Sequence, residues 1–350
     1  MINKRKMILN TLFLVAVFSI TVYYIFRGQD MTCIIENIKS TDVRYWGLAI
    51  ICIVVFIGSE SIIIFYMMHS IRQKVNLIHC FLYSFVGFFF SCITPSASGG
   101  QPAQVYFMKK DKIPIPIATL VLMIVTIAYK MVLVVLGVAI FIIRPAEVMN
   151  YLEPILGFCY LGIFLNIICV GFMLLLVFHP TLAHNQLTAF IKVLGKIRLI
   201  RRVDHYLLKV ESAMKQYKDI AVYFRTHKMV IWNVLVITVL QRILLFYITY
   251  LVYRSFGLDR TGFITIIILQ GMISVAVDML PLPGGMGISE TLFLKVFAPV
   301  FGSVTLPAMI VSRGLSYYTE LIISAFFTVV ALFTIGRKNM GRGKENDRIL

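Results

Sequence analysis

The stretch SCITPSASGGQPAQVYFMKK, residues 91–110, decides the fold. It sets Pro95, Gly99, Gly100 and Pro102 directly behind the apolar run HCFLYSFVGFFF of residues 79–90. Proline removes a backbone donor and clashes with the preceding turn, so a helix running through 77–93 breaks at Thr94 to Gly100. The same event recurs far along the chain, where DMLPLPGGMGISE (278–290) interrupts the apolar run 262–280 at Pro281 to Gly285.

The rest of the chain says what kind of protein carries these breaks. Hydrophobic residues make up 59% of the 350 and charged residues only 14%, and the mean hydropathy is +0.89. A soluble fold of this length cannot cover so much apolar surface. A helix needs roughly 20 apolar residues to cross the hydrocarbon. The runs 7–26, 46–68, 115–143, 155–178, 229–252 and 306–335 meet that length. The expected fold is an all-α polytopic membrane protein with about six full spans. The run 7–26 follows Lys4, Arg5 and Lys6 and lacks a small-residue cleavage site before Arg27, so it reads as a retained span, not a signal peptide.

The net charge of +17 is resolved by where the charges lie. With the N-terminus cytoplasmic, 23 of the 33 Lys and Arg residues fall on cytoplasmic segments and six on the other face, as the positive-inside rule requires. Both termini are then cytoplasmic. No basic residues alternate with aromatics in a soluble module, which argues against nucleic acid as a partner. The six cysteines form no C-x-x-C pair and the histidines no H-E-x-x-H, so no metal or other cofactor is expected.

Topology follows from the charge rule. If each broken run were a single span, Lys109, Lys110 and Lys112 would fall outside. A re-entrant hairpin avoids this: 77–93 enters from the cytoplasm and returns by Lys109, while 262–280 enters from outside and returns by about residue 301. The fold is thus expected to hold two re-entrant helical hairpins of opposite orientation in an inverted repeat, with halves at about 5–145 and 150–337 of a single domain (1–340), a pattern of alternating-access carriers. A cytoplasmic tail follows at 338–350.

Unwound backbone at membrane depth must be buried in protein or line a wet cavity. The helices restarting after Gly100 and Gly285 would aim their N-termini, each carrying about half a positive charge, at that cavity, where an anion such as phosphate binds. Ser96, Ser98, Gln101, Gln104 and Ser289 are further candidate donors. A kink that only helps helices pack is the competing account of either break.

Glu60, Lys130, Arg242, Asp278, Glu290, Lys295, Arg313 and Glu320 interrupt apolar runs. Each costs at least about 2.5 kcal/mol if lipid-exposed at mid-depth, so they should face inward. Glu60, Arg242, Asp278, Glu290 and Arg313 are candidate functional charges, with structural salt bridges as the alternative. Lys130 and Lys295 are expected to snorkel. Arg313 and Glu320, seven residues apart, should share one helix face.

Between the halves, 180–227 is a basic amphipathic linker. Val203, Tyr206, Leu207, Val210, Met214, Tyr217, Ala221 and Phe224 recur at helical spacing, a stripe expected to lie on the cytoplasmic leaflet.

The span order, TPSASGGQPAQVYFMKK and the P-G-G-x-G-x-x-E pattern of LPLPGGMGISE resemble the flippase-like transmembrane family named after lysylphosphatidylglycerol synthase, the membrane half of the multiple peptide resistance factor. The resemblance covers about residues 5–337. It implies a bacterial plasma-membrane protein that moves aminoacylated phosphatidylglycerol, or another phosphate-headgroup lipid, between leaflets. That activity is tied to resistance to cationic peptides. By motif, Gly99, Gly100, Gly284, Gly285, Gly287 and Glu290 transfer as site positions; Arg242 and Arg313 are candidate phosphate-binding residues from the charge pattern alone. Longer relatives carry a synthase domain after the last span, and this chain is expected to be a short form without it. The alternative activity is lysyl-tRNA-dependent phosphatidylglycerol lysyltransfer. Expected partners are membrane phospholipid, a second copy of the chain and a separate lipid-modifying synthase.

Overall fold

The structure, a computed structural model, describes residues 31–346 except 180, 183, 187, 190–202 and 283. The expected first span at 7–26, most of the linker's first half and the end of the tail lie outside the described residues.

The described chain is helical throughout. A short helix α1 (Met31–Lys39) leads into α2 (Val43–Ser70), started by Asp42, whose side chain accepts from the Arg44 amide. Asn76 likewise caps α3 (Leu77–Ile93). The chain breaks at Thr94 and restarts as α4 (Gly100–Lys110). Pro114 and Pro116 open α5 (Ile115–Ile143), which stops at the left-handed Arg144, φ 47°. Next come α6 (Ala146–Leu152), α7 (Leu156–Phe178) and the linker helix α8 (Val203–Thr226). The second half runs α9 (Lys228–Ser255), α10 (Phe263–Val277), a break, α11 (Ile288–Phe301), α12 (Thr305–Arg313), a π-helical turn at 314–318 and α13 (Thr319–Asn346).

Among the described residues five helical stretches are long and apolar enough to cross a membrane: Val43–Ser70, Ile115–Ile143, Ala146–Phe178, Lys228–Ser255 and Ile288–Ile335. The two broken runs are shorter apolar helices, Leu77–Ile93 and Phe263–Val277.

Each break folds the chain back on itself. In the first hairpin Asp111, just past α4, returns to the start of α3, where its carboxylate meets the His79 ring at 2.6 Å and the Tyr83 hydroxyl. The close approach is set at Gly100, where a Cβ would lie 2.7 Å from the Gly87 carbonyl oxygen. In the second hairpin Phe301, ending α11, packs edge-on against Tyr253, and the Tyr253 hydroxyl accepts from the Thr261 amide ahead of α10.

Helices α2 and α9 run antiparallel. The Asp42 amide meets the Ser255 carbonyl, Gln241 donates to the Phe56 carbonyl at 2.9 Å, and Asn233 donates to the Tyr66 hydroxyl at 2.8 Å. Two apolar cores flank this pair. One gathers Ile53, Phe56, Ile248, Leu269, Ile273 and Phe297 around the second hairpin. The other gathers Met67, Tyr83, Met108, Leu120 and Val234 at the base of the first. Outward faces carry Ile51, Phe164, Phe172, Trp232, Leu240 and Phe326 in the open, an apolar mantle that water would not tolerate and lipid would.

From Met214 onward the linker stripe turns into the bundle. Tyr217, Ala221 and Phe224 are buried in the second core. Tyr217 donates to the Leu176 carbonyl at 3.2 Å and Tyr223 to the Ser70 carbonyl at 2.9 Å. Burial pushes the Tyr217 phenol up to about 12.

Candidate functional site

The tips of the two hairpins, far apart in sequence, touch. The Ser96 hydroxyl donates to the Leu280 carbonyl at 3.2 Å. Tyr317, on the π turn, ties both tips together. Its hydroxyl donates to the Cys92 carbonyl at 2.9 Å, at the end of α3, and its ring lies against Gly284 so closely that a Cβ there would fall inside it. Gly284 also takes φ +56°, a conformation that side chains resist. Gly285 and Gly287, at φ +66° and +84°, complete the left-handed path into α11. In the first tip non-glycine residues do this work: Ser96 and Ala97 sit at φ 50° and 54°. Exposed Ser98 follows them, its amide bonded to the Pro95 carbonyl. Left-handed residues of this sort cost about 1–3 kcal/mol each and persist where surrounding structure holds them.

The helix N-termini are already capped from within. The Gly99 amide donates to Thr94 Oγ1 at 2.8 Å and the Gly100 amide to the Ala97 carbonyl at 3.4 Å. At the start of α11 the Gly287 amide donates to Glu290 Oε2 at 2.7 Å, and the Ser289 amide to the Gly285 carbonyl at 2.9 Å. Ser289 itself is buried. A carboxylate thus occupies the positive end of α11, where an anion was expected.

The remaining polar residues bind hairpins to spans. Gln101 donates to Thr126 on α5. Buried Gln104 lies over Gly87 and donates to Glu60 Oε1 at 2.8 Å.

The buried charges fall into three groups. Arg313 donates through Nε to Glu290 Oε1 at 2.7 Å and through Nη2 to the Gly284 carbonyl at 2.9 Å, so it clamps the second tip. Lys130 donates to Asp278 Oδ2 at 2.5 Å, with Met279 Sδ at 3.1 Å and Asn166 Oδ1 at 3.5 Å. It pins α5 to the second break, which corrects the expectation that it snorkels: its ammonium finds a buried carboxylate, so it need not reach water. Lys295 is exposed on α11.

The third group is Arg242, Glu60 and Glu320. These residues sit near the middle of α9, of α2 and of the last span, and Arg242 feels both carboxylates electrostatically. Yet no ion pair within 4.0 Å forms among them. The guanidinium stacks on Tyr129, 3.8 Å from the ring centroid, with Phe56 at 5.1 Å. Its Nε is sealed from solvent with no partner. Glu60 keeps only Gln104, and Glu320 only the Cys92 thiol at 3.5 Å. Each of the three residues is half-buried, and their free oxygens and terminal nitrogens are not among the sealed atoms.

A π turn lies between Arg313 and Glu320, and the two residues take different hydrogen-bonding partners. The wider turn adds a residue to the helical path, so Arg313 reaches Glu290 while Glu320 reaches Cys92 on α3. Sequence reasoning missed the Tyr129 platform, the Asp111 clasp and the bridging role of Tyr317. Only Tyr317 left a signal, as the aromatic between two buried charges. A separate open groove of about 500 Å3, lined by Gly171, Leu174, Leu175, Phe178 and His179, is apolar and holds none of these charges.

The family described as the lysylphosphatidylglycerol synthase TM region matches residues 11–324. No curated protein matches the chain significantly. With nine-tenths of its length inside the match, the chain belongs to that family.

Proposed function

We propose that this member of the family is a translocator that moves a phosphate-headgroup lipid between leaflets, with aminoacylated phosphatidylglycerol as its leading substrate, in a bacterial plasma membrane with both termini cytoplasmic. The observation that carries the reading is Arg242. A guanidinium stacked on Tyr129 and Phe56, acted on by Glu60 and Glu320 and with no hydrogen-bonding partner among the described residues, keeps its terminal nitrogens for a phosphate, and the planar fork suits phosphate bidentately. Arg313 is paired with Glu290 and the Gly284 carbonyl and is read as holding the second tip.

The antiparallel pairing of α2 with α9, each followed by a broken hairpin and a further span, supports the inverted-repeat reading of the two halves. A site between such halves opens alternately to either side as they rock. In this reading the headgroup passes between the halves to Arg242 while the acyl chains remain in lipid.

The test is a leaflet assay in proteoliposomes carrying fluorescent phosphatidylglycerol quenched from outside. Translocation is expected with wild type and reduced at least tenfold in Arg242→Gln. Protein-free and wild-type vesicles that behave alike would overturn the reading.

A further inference from the structure

Among the described residues the mid-span interior holds four carboxylates, Glu60, Asp278, Glu290 and Glu320, against three cations, Lys130, Arg242 and Arg313. Lys295, which would even the count, is exposed. Two of the cations are consumed in contact pairs, Lys130 with Asp278 and Arg313 with Glu290. What is left is one guanidinium, over Phe56 one helical turn before Glu60, and two carboxylates, Glu60 and Glu320, that act on its charge. The other titratable groups around them are the two paired cations, Lys130 over the Tyr129 ring at 5.5 Å and Arg313 over the Tyr317 ring at 4.7 Å, each balanced by its own carboxylate, with the Cys92 thiol on α3 and the Tyr129 and Tyr317 phenols.

We infer that the Glu60–Arg242–Glu320 site takes up a proton together with the lipid phosphate, so that headgroup entry is an electroneutral proton-linked step; this rests on the phosphate-binding reading of Arg242. The argument is one of charge. Net charge in a poorly solvating interior is expensive, and such groups neutralise where they can. The empty site is neutral when one carboxylate is protonated. A phosphodiester brings one negative charge, and neutrality then needs both carboxylates protonated. The second proton comes from the aqueous phase and sits on a carboxylate oxygen of Glu60 or Glu320; it returns to water when the lipid leaves. The proton gradient would thereby bias which leaflet the lipid occupies.

The experiment uses the full chain in detergent, titrated with short-chain phosphatidylglycerol in weakly buffered solution containing an indicator dye. Uptake of about one proton per lipid bound is expected near pH 7, and by linkage the wild-type affinity should fall by up to about tenfold per pH unit as pH rises. The Glu60→Gln/Glu320→Gln double variant should bind with little uptake. If it does not fold, the wild-type pH dependence decides alone. Binding with no uptake and a pH-independent affinity would overturn the proton linkage and leave the translocator reading standing. No binding at any pH would overturn both.

Discussion

The Tyr317 hydroxyl donates to the Cys92 carbonyl at 2.9 Å while its ring covers Gly284, so one side chain on a π turn touches both interrupted hairpins. Helix ends at membrane depth leave carbonyls that lipid cannot satisfy. Tyr317 satisfies one of them and in doing so sets the distance between the tips.

Gly284→Ala should therefore be severe. The new methyl meets the Tyr317 ring, and φ +56° opposes any side chain. A loss of about 1–3 kcal/mol is expected, read as a lower midpoint of thermal unfolding in detergent. Tyr317→Phe keeps the ring and leaves the Cys92 carbonyl unpaired, with an expected cost of about 1–3 kcal/mol.

The Arg313–Glu290 pair predicts asymmetry. Removing one partner strands a buried charge, and about 3–5 kcal/mol is the usual cost. Glu290→Gln and Arg313→Met should each destabilise strongly. The double variant should lose less than the two single losses added, and a strictly additive double-mutant cycle would contradict the contact.

Arg242 predicts the reverse. Its guanidinium has no hydrogen-bonding partner among the described residues, and the carboxylates near it can neutralise by taking up protons, so Arg242→Met should shift the melting temperature far less than Arg313→Met. Transport should still fall at least tenfold. A residue that lowers activity without lowering stability is what a ligand-binding arginine looks like.

The linker gives a pH prediction of definite sign. The Tyr217 phenol is pushed up to about 12 by burial, above its ordinary value of about 10. The folded state thus favours the protonated form. Its contribution to docking α8 is complete below pH 10 and is lost as pH rises towards 12, because a phenolate cannot donate to the Leu176 carbonyl. Protease accessibility of the linker should rise over that window, and Tyr217→Phe should abolish the dependence.

The broken helices were legible because proline and glycine act locally: Pro95, Gly99 and Gly100, and Pro281, Gly284 and Gly285, punctuate apolar runs whatever surrounds them. The spans were legible for the same reason, since 46–68, 115–143 and 229–252 need only their own length and apolarity. Which charge meets which was not. Lys130 and Asp278 are 148 residues apart, and only tertiary packing brings them to 2.5 Å. The capping of α11 by Glu290 was hidden similarly, because a carboxylate three residues into a helix reads as a substrate group or as a cap until its geometry is known. The π turn leaves no mark in the apolar spacing, so the different partners of Arg313 and Glu320 were not legible either.

The most direct test of the central claim is native mass spectrometry of the protein released from membranes by mild detergent, comparing wild type with Arg242→Gln. Wild type should retain a phosphate-headgroup lipid through the release, and Arg242→Gln, equally well folded, should lose it. Equal retention by the two proteins would contradict a phosphate anchored on Arg242.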